Sequence, residues 1–189
     1  MKALDRILRR WRMAKVWPFI PQGARVLDIG CGDGALFRLC RDRIKAGVGL
    51  DPALTAPVKE EHFDLIPGSF PESLPETEPF DVITMLAVLE HIPAAKQRSL
   101  AEKCAARLKE GGLLLITTPA PMVDHILSLL QTLRLIEGLA LEEHYGFDPR
   151  QTPEIFTGVG LTLVRAGKFQ LGLNNLFIFK KAMAEMTAD

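Results

Sequence analysis

The segment Val26-Leu27-Asp28-Ile29-Gly30-Cys31-Gly32-Asp33-Gly34 constrains this chain more than any other. An apolar, strand-like run enters glycines at alternate positions, and a helical pattern opens at Ala35. Glycine permits a sharp turn and lets a ligand approach main-chain atoms that a Cβ would cover. The start of the following helix favours a negative group, through its free N–H groups and its dipole. Taken alone, this spacing also describes an ordinary tight strand–helix turn. A second element narrows the choice. Gly47-Val48-Gly49-Leu50-Asp51 ends the next apolar run in an acid, seventeen residues after Gly34. A carboxylate there can accept hydrogen bonds from both hydroxyls of a ribose, and it can also cap a helix that starts at Pro52. The two roles are compatible.

From Arg25 onward, short β-rich runs alternate with helical patterns, the signal for a parallel sheet covered on both faces. The expected strands are Arg25–Ile29, Ala46–Leu50, Phe63–Ile66, Phe80–Leu86 and Leu113–Thr118. Ala94–Lys109 reads as a helix that stops at Gly111-Gly112, and Pro121–Ile136 and Thr152–Gly158 read as further helices. Two β-like runs close the chain, Leu161–Phe169 and Leu176–Phe179. The link between them is too short for a helical crossover, so they are expected to pair antiparallel as a hairpin.

Together with Phe80-Asp81-Val82-Ile83, Leu89-Glu90-His91-Ile92-Pro93 and Leu108-Lys109-Glu110-Gly111-Gly112-Leu113, the two glycine-bearing segments resemble the successive motifs of class I S-adenosylmethionine (SAM)-dependent methyltransferases. They come in the family's order and spacing, over about residues 20 to 120. The Leu-Glu-His-Ile-Pro string is similar to small-molecule and lipid-quinone methyltransferases within that family. The resemblance implies an α/β fold: a Rossmann-like, seven-stranded, mostly parallel sheet with helices on both faces and a C-terminal antiparallel hairpin. Residues 1–23 would form an N-terminal amphipathic cap helix, and residues 24–189 the SAM-binding domain. By the same resemblance, Asp28, Gly30, Cys31, Gly32 and Gly34 line the methionine end of SAM and Asp51 holds the ribose. Pro52, Ala53, Ser69 and Phe70 border the adenine, and Met85, Leu86 and Ala87 pass beside the sulfonium. An acid is common in the family at about the position of Ser69, which offers a neutral hydroxyl instead. The apolar character of Met85 also fits plain core packing.

Residues for the methyl acceptor are less marked. Glu142-Glu143-His144-Tyr145-Gly146-Phe147-Asp148-Pro149 follows the last of the five parallel strands, where relatives often cover the acceptor. His144 and Tyr145 are the candidate catalytic residues, His144 as a general base near neutral pH. An exposed loop with one aromatic anchor explains the same string. Glu90 and His91 are read as fixing a loop–helix junction, and His125 as structural. The helix from Pro121 is rich in Leu and Ile, which suits an acceptor lid, a homodimer face or core packing. The segment Lys2–Ala14 places Leu4, Ile7, Leu8 and Trp11 on one helical face, with Lys2, Arg6, Arg9, Arg10, Arg12 and Lys15 around it. That is compatible with peripheral membrane contact, but a cap helix packing on its own domain is favoured.

Composition excludes other classes. Twenty-three basic residues balance twenty-three acidic ones, so no global field attracts nucleic acid, and a small-molecule acceptor is expected. Met85-Leu86-Ala87-Val88 is unlike the Pro-Pro-aromatic string associated with amino methylation of bases. A nicotinamide oxidoreductase would carry G-x-G-x-x-G and a parallel last strand, and neither is read here. Cys31, Cys40 and Cys104 lack metal-ligand spacing, and no metal is expected. The start is too charged for a signal peptide and no apolar run is long enough to cross a bilayer, so the expectation is a cytoplasmic protein with free thiols. A non-catalytic SAM-binding or partner-activating subunit stays open at this level.

Overall fold

The computed structural model describes residues 3–120 and 147–183. Helix α1 (Ala3–Val16) leads into strand β1 (Ala24–Ile29), helix α2 (Ala35–Cys40) and strand β2 (Ile44–Asp51). Strands β3 (Val58–Glu60), β4 (Phe63–Pro67) and β5 (Phe80–Leu86) follow, then helix α3 (Ala94–Arg107) and strand β6 (Leu108–Pro119). After residue 146 come helix α4 (Thr152–Phe156) and strands β7 (Leu161–Phe169) and β8 (Asn174–Lys181).

The strands form one eight-stranded sheet in the order β3-β4-β2-β1-β5-β6-β8-β7. Strands β4, β2, β1, β5 and β6 run parallel. Strand β8 pairs antiparallel with both β6 and β7, so the last two strands form the expected hairpin. All seven expected strands are present. The eighth, β3, pairs antiparallel with β4 at the sheet edge, with Lys59 opposite Asp64. Its three residues are all exposed, so it carries no alternation of apolar and polar residues by which to recognise it.

Side chains alternate strictly between the two faces, as a pleated strand requires. On one face Leu27, Ile29, Ile83, Met85, Leu114, Ile116, Phe177 and Phe179 pack with Leu100 and Cys104 of α3 and Phe156 of α4. On the other, Val26, Val82, Leu115, Leu176 and Ile178 pack with Leu36 and Phe37 of α2 and Met13 and Val16 of α1. Helices therefore cover both faces. The central strands are apolar on both sides because neither side meets water.

Two details differ from the sequence reading. Helix α3 ends at Arg107, and the chain turns directly into β6 at Leu108. Gly111 and Gly112 lie inside β6, where the register with β5 shifts between Phe80 and Val82. Gly111 has φ +73°, and a Cβ on Gly112 would sit 2.9 Å from the Lys109 carbonyl. The glycine pair thus shapes a bulge rather than stopping a helix. In α1, Ile7 and Trp11 face solvent at 60% and 46% exposure, while Met13 and Val16 are buried. The inward stripe is displaced from the expected Leu4-Ile7-Leu8-Trp11 face, and Arg9 and Arg12 lie half-buried beside it. Gln170 donates to the Leu8 carbonyl at 2.8 Å, which ties α1 to the turn before β8.

Candidate functional site

The carboxyl ends of β1, β2 and β5 converge where the sheet order reverses between β1 and β5, the place where open α/β sheets leave a crevice. After β1 the chain turns through Gly30 (φ +76°), whose N–H donates to the Leu50 carbonyl at 2.8 Å. A Cβ on Gly30 would collide with Val88 Cγ2. That approach explains why glycine stands there.

Two cavities lie along this crevice. One, of about 190 Å³, is lined by Asp28, Gly30, Cys31, Leu36, Leu86 and Ala87 from the sheet side and by Arg9, Arg12 and Met13 of α1. The other, of about 470 Å³, is walled by Ile29, Leu50, Phe70, Val88, Ile92 and Leu100. Asp51, Pro52, Ser69 and His91 supply its polar and turn positions. Gly30 and Ala87 line both. Ala87 holds φ +60°, an uncommon conformation for a residue with a Cβ, and its N–H donates to the Thr117 carbonyl at 2.9 Å.

Asp28 is 3% exposed, and Thr84 Oγ1 donates to its carboxylate at 2.6 Å. Burial raises its pKa from 3.8 to about 7, against the opposing pull of the Thr84 hydrogen bond and the Arg9 charge, with Asp51 adding a smaller push upward. Asp51 is organised differently. Its Oδ2 accepts from Gly32 N at 2.7 Å and its Oδ1 from Ala53 N at 2.8 Å. No helix starts at Pro52, so Asp51 fixes a turn there rather than capping a helix, and each oxygen keeps a second lone pair for a ligand hydroxyl.

The glycines of the loop have separate duties. Gly30 lines the cavities. Gly32, at φ +54°, would bring a Cβ to 3.3 Å from Arg9 Nη2, and Gly34, at φ +79°, would bring one to 2.9 Å from Leu65 Cδ1. Gly34 thus serves close packing of α2 on the sheet. Cys31 is buried, and burial pushes its thiol up to about 12, so it is neutral in the cavity wall. At the carboxyl end of β5, Leu86 and the following Ala87 reach the crevice, whereas Met85 is fully buried among core side chains.

Pro52, Ser69 and Phe70, expected beside an adenine, line the larger cavity together. His91, read only as a junction residue, also lines it, within the one-turn 3₁₀ segment Leu89–His91. The contribution of Arg9 and Arg12 was not read from the sequence; their spacing, three apart on a helix whose charges look solvated, gave no signal of a cavity. His125, His144 and Tyr145 lie outside the described residues, as does the helix expected from Pro121. Phe147 packs on the core, and Asp148 accepts from Arg150 N at 2.9 Å. Among the described residues, no group of three His, Cys, Asp or Glu side chains is placed to hold a metal, and no helix is long and apolar enough to cross a membrane.

A sequence model of the methyltransferase domain family matches residues 2–166. The chain is 33% identical over 109 residues to a ubiquinone biosynthesis O-methyltransferase of Glaesserella parasuis, which covers 51% of this chain and 45% of that protein. It is 32% identical over 151 residues to a probable S-adenosylmethionine-dependent methyltransferase of Mycolicibacterium smegmatis, covering 74% of this chain and 58% of the relative. The matches thus span about half the length of these relatives. The fold is similar to that of magnesium protoporphyrin IX methyltransferase from Synechocystis PCC 6803, a structure with bound SAH, at a TM-score of 0.68 and 15% identity, over 96% of this chain and 89% of that one. With most of its length matched by the family model, this chain belongs to the methyltransferase domain family.

Proposed function

We propose that the crevice holds SAM across both cavities and that the chain methylates a hydroxyl of a small, apolar acceptor. The observation that carries the reading is the pair of carboxylates, Asp28 in the smaller cavity and Asp51 in the larger, on either side of the shared Gly30 and Ala87. The residues fit the cofactor. The larger cavity, mostly apolar with one carboxylate, one hydroxyl and the His91 imidazole, suits an adenosine, with Asp51 on the ribose and Ser69 and Phe70 beside the base. The smaller holds a buried carboxylate for the methionine ammonium. A glycine at position 30 lets the two halves meet.

When bound, SAM supplies a methyl group already activated on a sulfonium. The chain's own work is then to place a nucleophile in line and to exclude water. Leu86, the last residue of β5, and Ala87 after it border the reacting end in this reading, and the neutral Cys31 thiol adds no competing nucleophile. A hydroxyl acceptor is supported by the relative whose name gives it O-methylation in ubiquinone biosynthesis. His144 and Tyr145 are assigned to the acceptor side, where one of them would orient the hydroxyl or take its proton.

The test is S-adenosylhomocysteine (SAH) release with a panel of apolar hydroxylated small molecules. At least one should drive release above the acceptor-free background, and replacing His144 and Tyr145 together with Phe should lower that rate about 10²–10⁴-fold with SAH affinity intact. Release driven only by RNA, DNA or protein would overturn the acceptor class.

A further inference from the structure

Helix α1 turns an apolar stripe outward. Met13 and Val16 seat the helix on the sheet, yet Ile7 and Trp11, four residues apart and so neighbours on the opposite face, are exposed. Ala14 continues that face and is exposed as well. Trp17 opens the turn Trp17–Phe19 at the end of the helix and is 39% exposed. Beside the N-terminal half of α1, the Gln170 bond to the Leu8 carbonyl holds the turn between β7 and β8, where Leu171 stands 95% exposed at φ +58°. Single exposed apolar residues are ordinary on a soluble protein, but four along one helix and the turn it touches mark a contact surface.

The charge around the stripe is mostly of one sign. Arg6 and Arg10 are exposed along one flank, and Lys15 is half-buried on the other. Arg43 lies over the Trp17 ring at 4.3 Å and Arg165 over the Phe19 ring at 5.4 Å. Asp5 is the one acid in the sequence of α1, and Asp42 offsets part of the Arg43 charge. A convex stripe this narrow gives a folded partner little to close on, since a stable protein interface takes about 20–30 residues a side. A bilayer surface asks for less: a few apolar side chains at headgroup depth, a tryptophan among them, and basic residues at the rim to meet anionic headgroups.

We propose that the outer face of α1 docks the chain on an anionic lipid surface, with Ile7 and Trp11 entering the headgroup layer and Arg6 and Arg10 meeting lipid phosphates. The helix then serves two sides, one packed on its own domain and one turned to the membrane. Arg9, Arg12 and Met13 of the same helix line the smaller cavity, so docking sets that cavity close to the lipid. The inference stands on the exposed face of α1 and is independent of how SAM is placed.

Flotation of the full chain with vesicles tests it, using phosphatidylcholine alone and phosphatidylcholine mixed with phosphatidylglycerol. The chain should bind the mixed vesicles and leave the neutral ones, and added salt should release it. Both tryptophans of the sequence lie in α1 and the turn that ends it, so their emission should shift to the blue on the mixed vesicles. Arg6→Gln with Arg10→Gln should lower partitioning about 10–30-fold. Ile7→Ser with Trp11→Ser should lower it by about tenfold or more. All four side chains are exposed, so each double variant should keep the parent's thermal midpoint, which certifies its fold. Equal binding to both vesicle types, binding with unchanged tryptophan emission, or full binding by either double variant would overturn the proposal. Absence of binding by the unaltered chain would overturn it too. Light scattering would then assign the face to a second copy if it read a dimer that Ile7→Ser with Trp11→Ser dissociates.

Discussion

The carboxylate of Asp51, at the end of β2, accepts the backbone N–H of Gly32 at 2.7 Å and so ties the second strand to the turn after the first. With Ala53 N on its other oxygen at 2.8 Å, the side chain organises the crevice before any ligand arrives. Asp51→Ala should therefore do two things. It should weaken SAH binding by about 10–100-fold through loss of a charge-assisted ribose contact, and it should lower stability by about 1–3 kcal/mol through the backbone donors left unpaired. Calorimetry reads the first and denaturant unfolding the second. A stable variant with normal affinity would remove Asp51 from the site.

Asp28 gives a pH dependence whose sign follows from its burial. Its pKa rises from 3.8 to about 7 in the folded chain, so the folded state binds a proton more tightly than the unfolded one. The stability this contributes is complete below about pH 4 and is lost as pH rises through about 7, since the ionised form is the disfavoured one. At about 1.4 kcal/mol per tenfold change, the loss is on the order of 4 kcal/mol. Asp28→Asn should thus be more stable than the parent at pH 8 and equal to it near pH 4. SAH binding should run the other way. An ammonium needs the carboxylate, so affinity should climb between pH 5.5 and 7.5 by nearly tenfold per pH unit at the acidic end. The Asn variant should bind weakly with no such slope, and a parallel slope would assign the titration elsewhere.

Gly32→Val should perturb α1 more than the cavity floor. At φ +54° a β-branched residue is strained, and its Cβ would press on the Arg9 guanidinium at 3.3 Å. The expected result is a folded chain, about 1–3 kcal/mol less stable, with SAH affinity reduced at least tenfold. It should also cleave faster between α1 and β1 under limited proteolysis. Normal affinity with a loosened α1 would separate the helix from the site.

Gly47→Ala is the control. Its Cβ would lie 2.6 Å from Phe37 Cε1 and 3.0 Å from Phe63 Cβ, in the stack those rings make at 4.9 Å between centroids. Overpacking of this kind costs about 1–3 kcal/mol. Because the position faces the core, SAH affinity in the folded fraction should stay within about twofold. Thermal unfolding and calorimetry together distinguish this from a site effect.

The strands that bury both faces, such as Phe80–Leu86, were legible because their apolar runs need no partner to be recognised. The exposed Val58–Glu60 was not, since only pairing with β4 makes it a strand. The Gly111-Gly112 pair was read by its local habit of ending helices, and tertiary pairing with β5 overrode that habit. At the crevice, Asp28, Asp51, Pro52, Ser69 and Phe70 were named through the family resemblance, and they line the two cavities because they lie at or just after strand ends whose order the motifs follow. Arg9 was not, because its place in the cavity depends on how α1 rotates against the sheet. The apolar stripe suggested one rotation, with Ile7 and Trp11 inward, whereas Met13 and Val16 impose another.

The most direct measurement is a crystal structure of the chain with SAH. The account predicts one SAH molecule lying across both cavities and passing between Gly30 and Ala87. Its ribose hydroxyls should be within hydrogen-bond reach of Asp51 and its ammonium within reach of Asp28. SAH bound elsewhere, or bound in the crevice with its ends reversed so that the adenosine meets Asp28, would contradict it.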